Sequence, residues 1–260
     1  MNNDQINGLP LYFFEGLSGA EGLKHAVLTR IGGVSRKPYA TLNLGHSVGD
    51  DLAAVEENHR RALGALGLVP GGVASPALVH GARVGVVGPA DLGTYREATD
   101  ALVTAVPAVP LLMRFGDCAP VLFFDSVRRA IGIAHAGWRG VVACTVQATV
   151  QTMTEQLGCD PADLWAGIGP TIGPCCYEVG PEVVSAVAAV CRPGARIAHR
   201  VNGRTTLDMP AAIRAQLHAV GVGRVEDSGL CTACRVDEFF SHRAEHGRTG
   251  RFGVVMELLE

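Results

Sequence analysis

The stretch Arg114-Phe-Gly-Asp-Cys-Ala-Pro-Val-Leu-Phe-Phe-Asp-Ser-Val-Arg-Arg-Ala-Ile-Gly-Ile-Ala-His-Ala-Gly-Trp-Arg-Gly140 organises the chain. It holds two apolar runs, Val121–Ser126 and Ala130–His135, joined by the turn Ser126–Arg129. Runs this short, apolar throughout and bounded by Gly, Pro or charge, are those of strands covered on both faces. A hairpin brings their outer ends together, Cys118 just ahead of the first strand and His135 closing the second. Beyond Ala-Gly-Trp-Arg-Gly, apolar residues at Val142, Val146, Val150, Met153 and Leu157 predict a helix over Val141–Leu157, stopped by Gly158. Thiol, imidazole, Arg139 and a helix N-terminus therefore converge on one rim. Buried free cysteines and strand-end histidines are most often structural. Here the small residues around His135, and a third ligand candidate in His80, favour a functional site.

The 260 residues suffice for one large domain, and the whole chain, 1–260, reads as one. Apolar content of 48% with 18% charged residues is that of a globular protein. A net charge of −3 gives no basic footprint for nucleic acid. The longest apolar stretch, Ala101–Met113, is broken by Pro107 and Pro110 and is too short for a bilayer. The start, Met-Asn-Asn-Asp-Gln, has no export signal, so a cytoplasmic protein with eight reduced cysteines is expected.

Leu11–Phe14 and His25–Thr29 read as strands, followed by a glycine turn, Gly32-Gly33, with Arg30 at its mouth as an anion-binding candidate. Asp50 or Asp51 caps a helix with Leu52, Val55, Leu63 and Leu66 on one face and Gly67 after its end. Pro76–Gly88 alternates as a strand with His80 inside it, and Asp100–Val106 and Val109–Phe115 are further strands. Leu164 opens a strand that runs into the loop Gly169-Pro-Thr-Ile-Gly-Pro-Cys-Cys-Tyr-Glu-Val-Gly180. Pro181 opens a helix to Cys191, and Asp208 with Pro210 opens another carrying Ile213, Leu217 and Val220. Gly253–Leu258 is a closing strand. Cys231-x-x-Cys234 has metal-ligand spacing but no evident second pair; the adjacent Cys175-Cys176 read as loop packing, and His242 and His246 as bland.

These residues resemble a known family. Thr29-Arg-Ile-Gly-Gly-Val-Ser, Leu42-Asn-Leu-Gly, Val79-His-Gly, Gly116-Asp-Cys-Ala-Pro-Val-Leu, Ala134-His-Ala-Gly-Trp-Arg-Gly, the Gly169–Gly180 loop, Cys231-Thr and Phe239-Phe-Ser-His-Arg are all similar to motifs of the bacterial laccase-domain, or multicopper polyphenol oxidase-like, family. Its members are understood largely as purine nucleoside phosphorylases with adenosine deaminase activity. The resemblance runs the full length. It implies an α+β fold, a layered α/β/β/α sandwich with mixed β-sheets. It also implies a metal held by His80, Cys118 and His135, with Cys118 and His135 as the candidate catalytic residues. Leu78 stands where the family usually has Gln, and His242 where it usually has Tyr.

Two imidazoles and a thiolate fill three corners of a tetrahedron and leave the fourth open, the pattern of a catalytic zinc. Zinc is the expected cofactor, with copper as the alternative, and purine nucleoside and phosphate are the expected partners of a monomer. Arg30, Asn43, Arg139 and Arg243 are the candidates for phosphate and substrate, since a guanidinium fork suits phosphate. Three rivals stand beside this. One is a copper-dependent polyphenol oxidase, against which nine histidines without a His-x-His pair weigh. The second is a metal-free Cys–His hydrolase acting on cell-wall precursors. The third is a non-catalytic binding protein, which the glycine-rich rim fits poorly.

Overall fold

A computed structural model describes residues 1–192 and 194–260. Its centre is the expected hairpin, with strands Ala119–Asp125 and Ala130–Ala136 in the register that sets Asp125 opposite Ala130 and Ala119 opposite Ala136. Both strands are buried throughout, and their side chains divide with the period of the pleat. Val121, Phe123, Ala130 and Ala134 enter one apolar core, while Leu122, Phe124, Ile131 and Ile133 enter another. A continuously apolar run thus supplies two cores, one on each face of its sheet.

That sheet has six strands in the order Arg224–Asp227, Trp165–Ile168, Ala119–Asp125, Ala130–Ala136, Ala101–Thr104 and Val84–Val86. Its two outermost pairings are parallel and the inner ones antiparallel. A five-stranded antiparallel sheet packs on one face, in the order Asn2–Ile6, Leu9–Phe13, Leu23–Leu28, Phe252–Leu258 and Leu111–Phe115. Helices Thr145–Leu157 and Met209–Ala219 cover the other face, where Val146, Val150, Ile213 and Leu217 join the core. Helix Leu52–Ala65 covers the outside of the five-stranded sheet through Ala62 and Leu63. The layers are α/β/β/α, as the resemblance implies, but only the six-stranded sheet is mixed and the five-stranded one is antiparallel throughout. No helix among the described residues is long and apolar enough to cross a membrane.

Several local expectations need correction. The strand over Pro76–Gly88 is interrupted: Ser75–Pro76 and Val84–Val86 are strands, but His80 has φ 61°, a left-handed conformation that no strand accommodates. The helix over Val141–Leu157 is two helices, Trp138–Val142 and Thr145–Leu157. Cys144, at φ 63°, breaks them. The break is satisfied from elsewhere, since Gln216 Nε2 donates to Val141 O at 2.8 Å and Thr145 Oγ1 to Gly140 O at 2.8 Å. The helix beginning at the rim is therefore only five residues long. Leu52, expected on the packed face of its helix, is 59% exposed, and the buried face carries Asn58 and His59 instead. Asp51 is the cap, accepting from Ala53 N at 3.0 Å.

Candidate functional site

The hairpin register decides where the chemistry gathers. Ala119 faces Ala136 and Pro120 faces His135, so Cys118 and His135 occupy the same end of the two strands. On the far side of His135 runs Ala101–Thr104, with Ala101 opposite Ala134. This sets Asp100 beside His135, whose backbone N–H donates to Asp100 O at 2.8 Å. Asp100 then reaches two ways. Its carboxylate accepts the backbone N–H groups of Val79 (3.2 Å), His80 (2.8 Å) and Gly81 (2.8 Å), and Oδ1 lies 3.2 Å from His135 Nδ1. A carboxylate only accepts, so Nδ1 carries a proton, and in the neutral imidazole Nε2 keeps its lone pair. One fully buried side chain thereby orients His135 and holds His80 in its left-handed turn.

One donor atom from each of His80, Cys118 and His135 lies within 4.8 Å of the others. Zinc bonds of about 2.0–2.3 Å require donors some 3.3–3.8 Å apart, a spacing that small rotations supply. The donor set fits a borderline-soft divalent ion. The turn over it has no room for a side chain: a Cβ on Gly137 would meet Cys118 Sγ at 2.7 Å and His80 Cδ2 at 3.4 Å.

Without metal, these groups polarise one another. Burial disfavours the Cys118 thiolate, yet the His135 charge and hydrogen bonds from His135 and His80 outweigh it and bring the thiol down to about 6. Burial likewise disfavours a charged His135, and the Cys118 thiolate with Asp100 raises it to about 9. The thiolate exists above the first value and the imidazolium below the second, so the ion pair spans the interval between them. In metal-free protein, alkylation of Cys118 should therefore rise with a midpoint near pH 6, followed by mass spectrometry of its peptide. A midpoint at the ordinary thiol value of about 8.5 would show that the pair does not form.

The three side chains line a cavity of about 700 Å³, within the usual range for small-molecule sites. Arg139 and Arg243 line it too, each over an aromatic ring, Trp138 at 4.4 Å and Tyr177 at 5.0 Å. Arg30 and Asn43 do not. The Arg30 guanidinium bonds Ala40 O at 2.8 Å and Val236 O at 2.6 Å and pairs with Glu245 at 3.0 Å, beside a separate depression. Asn43 is fully buried and accepts from Gly45 N at 2.9 Å and Arg251 N at 2.8 Å. It shapes the wall without facing the cavity.

Sequence reasoning missed Asp100, Arg114, Arg251, Tyr177 and His242, of which all but Asp100 line the cavity. An arginine within the otherwise buried strand Leu111–Phe115 was a usable signal for Arg114. Asp117, adjacent to Cys118, also lines the cavity; at φ 100° it is held by Thr232 Oγ1 and Arg243 N, each 2.6 Å from its carboxylate. Burial and the Cys118 charge push the Tyr177 phenol up to about 12, so it keeps its proton. Cys231-x-x-Cys234 does meet a second pair, Cys175 and Cys176, in a separate group of four thiols. Cys175 and Cys176 therefore do more than pack their loop: they face the second cysteine pair.

Residues 24–258 match the family described as multi-copper polyphenol oxidoreductase laccase. A purine nucleoside phosphorylase of Deinococcus radiodurans is 41% identical over 251 residues, covering 96% of this chain and 94% of that protein. One from Streptomyces griseus is 42% identical, covering 88% and 92%. Among solved structures, YlmD from Geobacillus stearothermophilus has a TM-score of 0.89 at 34% identity, covering 92% of this chain and 93% of that one. The Bacillus licheniformis hypothetical protein YfiH has a TM-score of 0.91 at 30% identity, covering 98% of each.

Proposed function

The chain belongs to the multi-copper polyphenol oxidoreductase laccase family, and we propose that it is a zinc-dependent purine nucleoside phosphorylase. The observation that carries the reading is one cavity in which His80, Cys118 and His135 share the walls with Arg114, Arg139, Arg243 and Arg251. The names of the Deinococcus and Streptomyces relatives support the same reaction.

In phosphorolysis a phosphate oxygen bonds to C1′ of the ribose as the bond from C1′ to the purine nitrogen breaks. The electron pair leaves with the base, which takes up a proton. The arginines hold the phosphate dianion, and a fork of donors at a partly closed site fixes its direction of approach. Arg139 and Arg243 have their planes braced by aromatic rings, which lowers the entropy lost when they bind. Tyr177, kept protonated, supplies a neutral O–H for the departing purine. Asp100 keeps His135 in the tautomer whose Nε2 faces the donor group. Bound at His80, Cys118 and His135, zinc would supply a Lewis acid that polarises a substrate oxygen or a water, and deamination of adenosine at C6 is the second reaction such a site supports.

Replacing Arg139 or Arg243 by Gln should raise KM for phosphate about tenfold with a smaller change for the nucleoside, since a hydrogen bond to a charged group contributes about 1.5–3 kcal/mol. Initial rates at varied phosphate and fixed inosine or adenosine test this. An unchanged phosphate KM in both variants would remove the anion assignment. The copper-oxidase reading has less support: a multicopper cluster needs several imidazole sites, and among the described residues one candidate group contains histidine.

A further inference from the structure

We propose that Cys175, Cys176, Cys231 and Cys234 form a second metal site, a structural tetrathiolate centre that takes zinc. All four Sγ atoms lie within 4.8 Å of one another, and Cys234 Sγ is 3.4 Å from both Cys175 Sγ and Cys176 Sγ. These separations are far too long for a disulfide, whose S–S bond is about 2.05 Å. They bracket the value of about 3.8 Å that zinc–sulfur bonds of about 2.3 Å impose at tetrahedral angles. Four sulfurs this close to one another are the donor set of structural zinc, and no oxygen or imidazole donor joins the group, which disfavours harder cations.

The backbone builds the cradle. Thr171 N donates to Leu230 O at 3.1 Å and Thr232 N to Thr171 O at 3.0 Å, which lays the two cysteine-bearing segments side by side. Gly173 N donates to Cys231 Sγ at 3.2 Å, as amides do to metal-bound thiolates. Gly173 can approach this closely because it lacks a side chain: a Cβ there would meet Cys231 Cβ at 3.3 Å and Cys175 Sγ at 3.4 Å. Cys175 and Cys234 are exposed, so apolar packing does not account for the cluster. On binding, each thiol gives up its proton as its bond to zinc forms; no electron transfer is involved.

Such a centre would pin the loop after strand Trp165–Ile168 to the segment after strand Arg224–Asp227. Both reach Asp117, which lines the cavity. Ile172 N donates to Asp117 O at 3.0 Å, Thr232 Oγ1 donates to Asp117 Oδ1 at 2.6 Å, and Tyr177 stands one residue beyond Cys176. The site is thus a clamp that fixes Tyr177 and Asp117 in the cavity wall.

The test uses the Cys118→Ala chain, which isolates the four-cysteine site from the one described above. Purified without chelator, it should hold one zinc per chain. Cobalt exchanged into it should give thiolate-to-metal charge-transfer bands of the intensity expected for four sulfurs, and adding Cys231→Ser or Cys234→Ser should abolish both the zinc and the bands. A chelator should lower the melting temperature of Cys118→Ala but not of the double variants. Two results overturn the proposal: zinc-free Cys118→Ala protein that also fails to bind added zinc or cobalt, or a native mass showing these cysteines paired as disulfides. Neither depends on phosphorolysis, so failure here and failure of the proposed activity are distinguishable.

Discussion

Cys118→Ala is expected to empty the His80–Cys118–His135 site and to lower kcat/KM for phosphorolysis by more than about 100-fold. That figure is the upper end of the loss seen when a residue merely supporting a metal ligand is changed, and here a ligand itself is lost. The two imidazoles that remain are one exposed and one buried, and only His135 is oriented by a carboxylate. Neither holds a divalent ion alone, and the methyl group of alanine supplies no donor. The fold should persist, because Cys118 is only partly buried and precedes the strand without joining its ladder. Metal analysis beside steady-state kinetics checks the point. Activity within tenfold of the unmutated protein would remove Cys118 from the reaction.

Asp100→Asn carries the second largest effect. The carboxylate is fully buried and accepts from three backbone N–H groups while facing His135 Nδ1. Burial opposes its charge, but these bonds win, and its pKa lies below the ordinary carboxylate value. An amide presents one oxygen and one NH2, so at least one donor would meet another donor. Each buried group left unsatisfied costs about 1–3 kcal/mol. His80 would lose the bonds that hold φ at 61°, and His135 would lose the tautomer that presents Nε2. Metal affinity and kcat/KM should each fall about 10–100-fold, with a lower melting temperature. Competition with a zinc indicator measures the first. Unchanged affinity would mean that the ligands hold their places without Asp100.

The hairpin was legible because its apolar runs satisfy two cores, and such runs survive any local variation at the ends. The common rim of Cys118 and His135 followed from that hairpin alone. His80 was harder. Its backbone conformation is imposed by Asp100, twenty residues on, so alternation in Val84–Val86 extended a strand across a turn. The split after Val142 was hidden for a similar reason: the apolar spacing continues through Cys144, and the side chains that satisfy the break come from Gln216 and Thr145. Arg30 shows the opposite failure. A glycine turn beside an arginine suggested an anion site, but Glu245 and two carbonyls already occupy the guanidinium. The paired cysteines were each visible, and only the pairing of Thr171 with the chain around Cys231 made them one group. Long-range register, which no local pattern encodes, separates what was legible from what was not.

The most direct measurement is turnover of adenosine or inosine with phosphate by protein stripped of metal and verified as such. Metal-dependent phosphorolysis predicts no free base and no ribose 1-phosphate until zinc is added, when both should appear in equal amounts. A thiolate–imidazolium pair of Cys118 and His135 would sustain a Cys–His hydrolase in the same preparation. Full turnover by the metal-free protein, abolished by alkylating Cys118, would contradict the account.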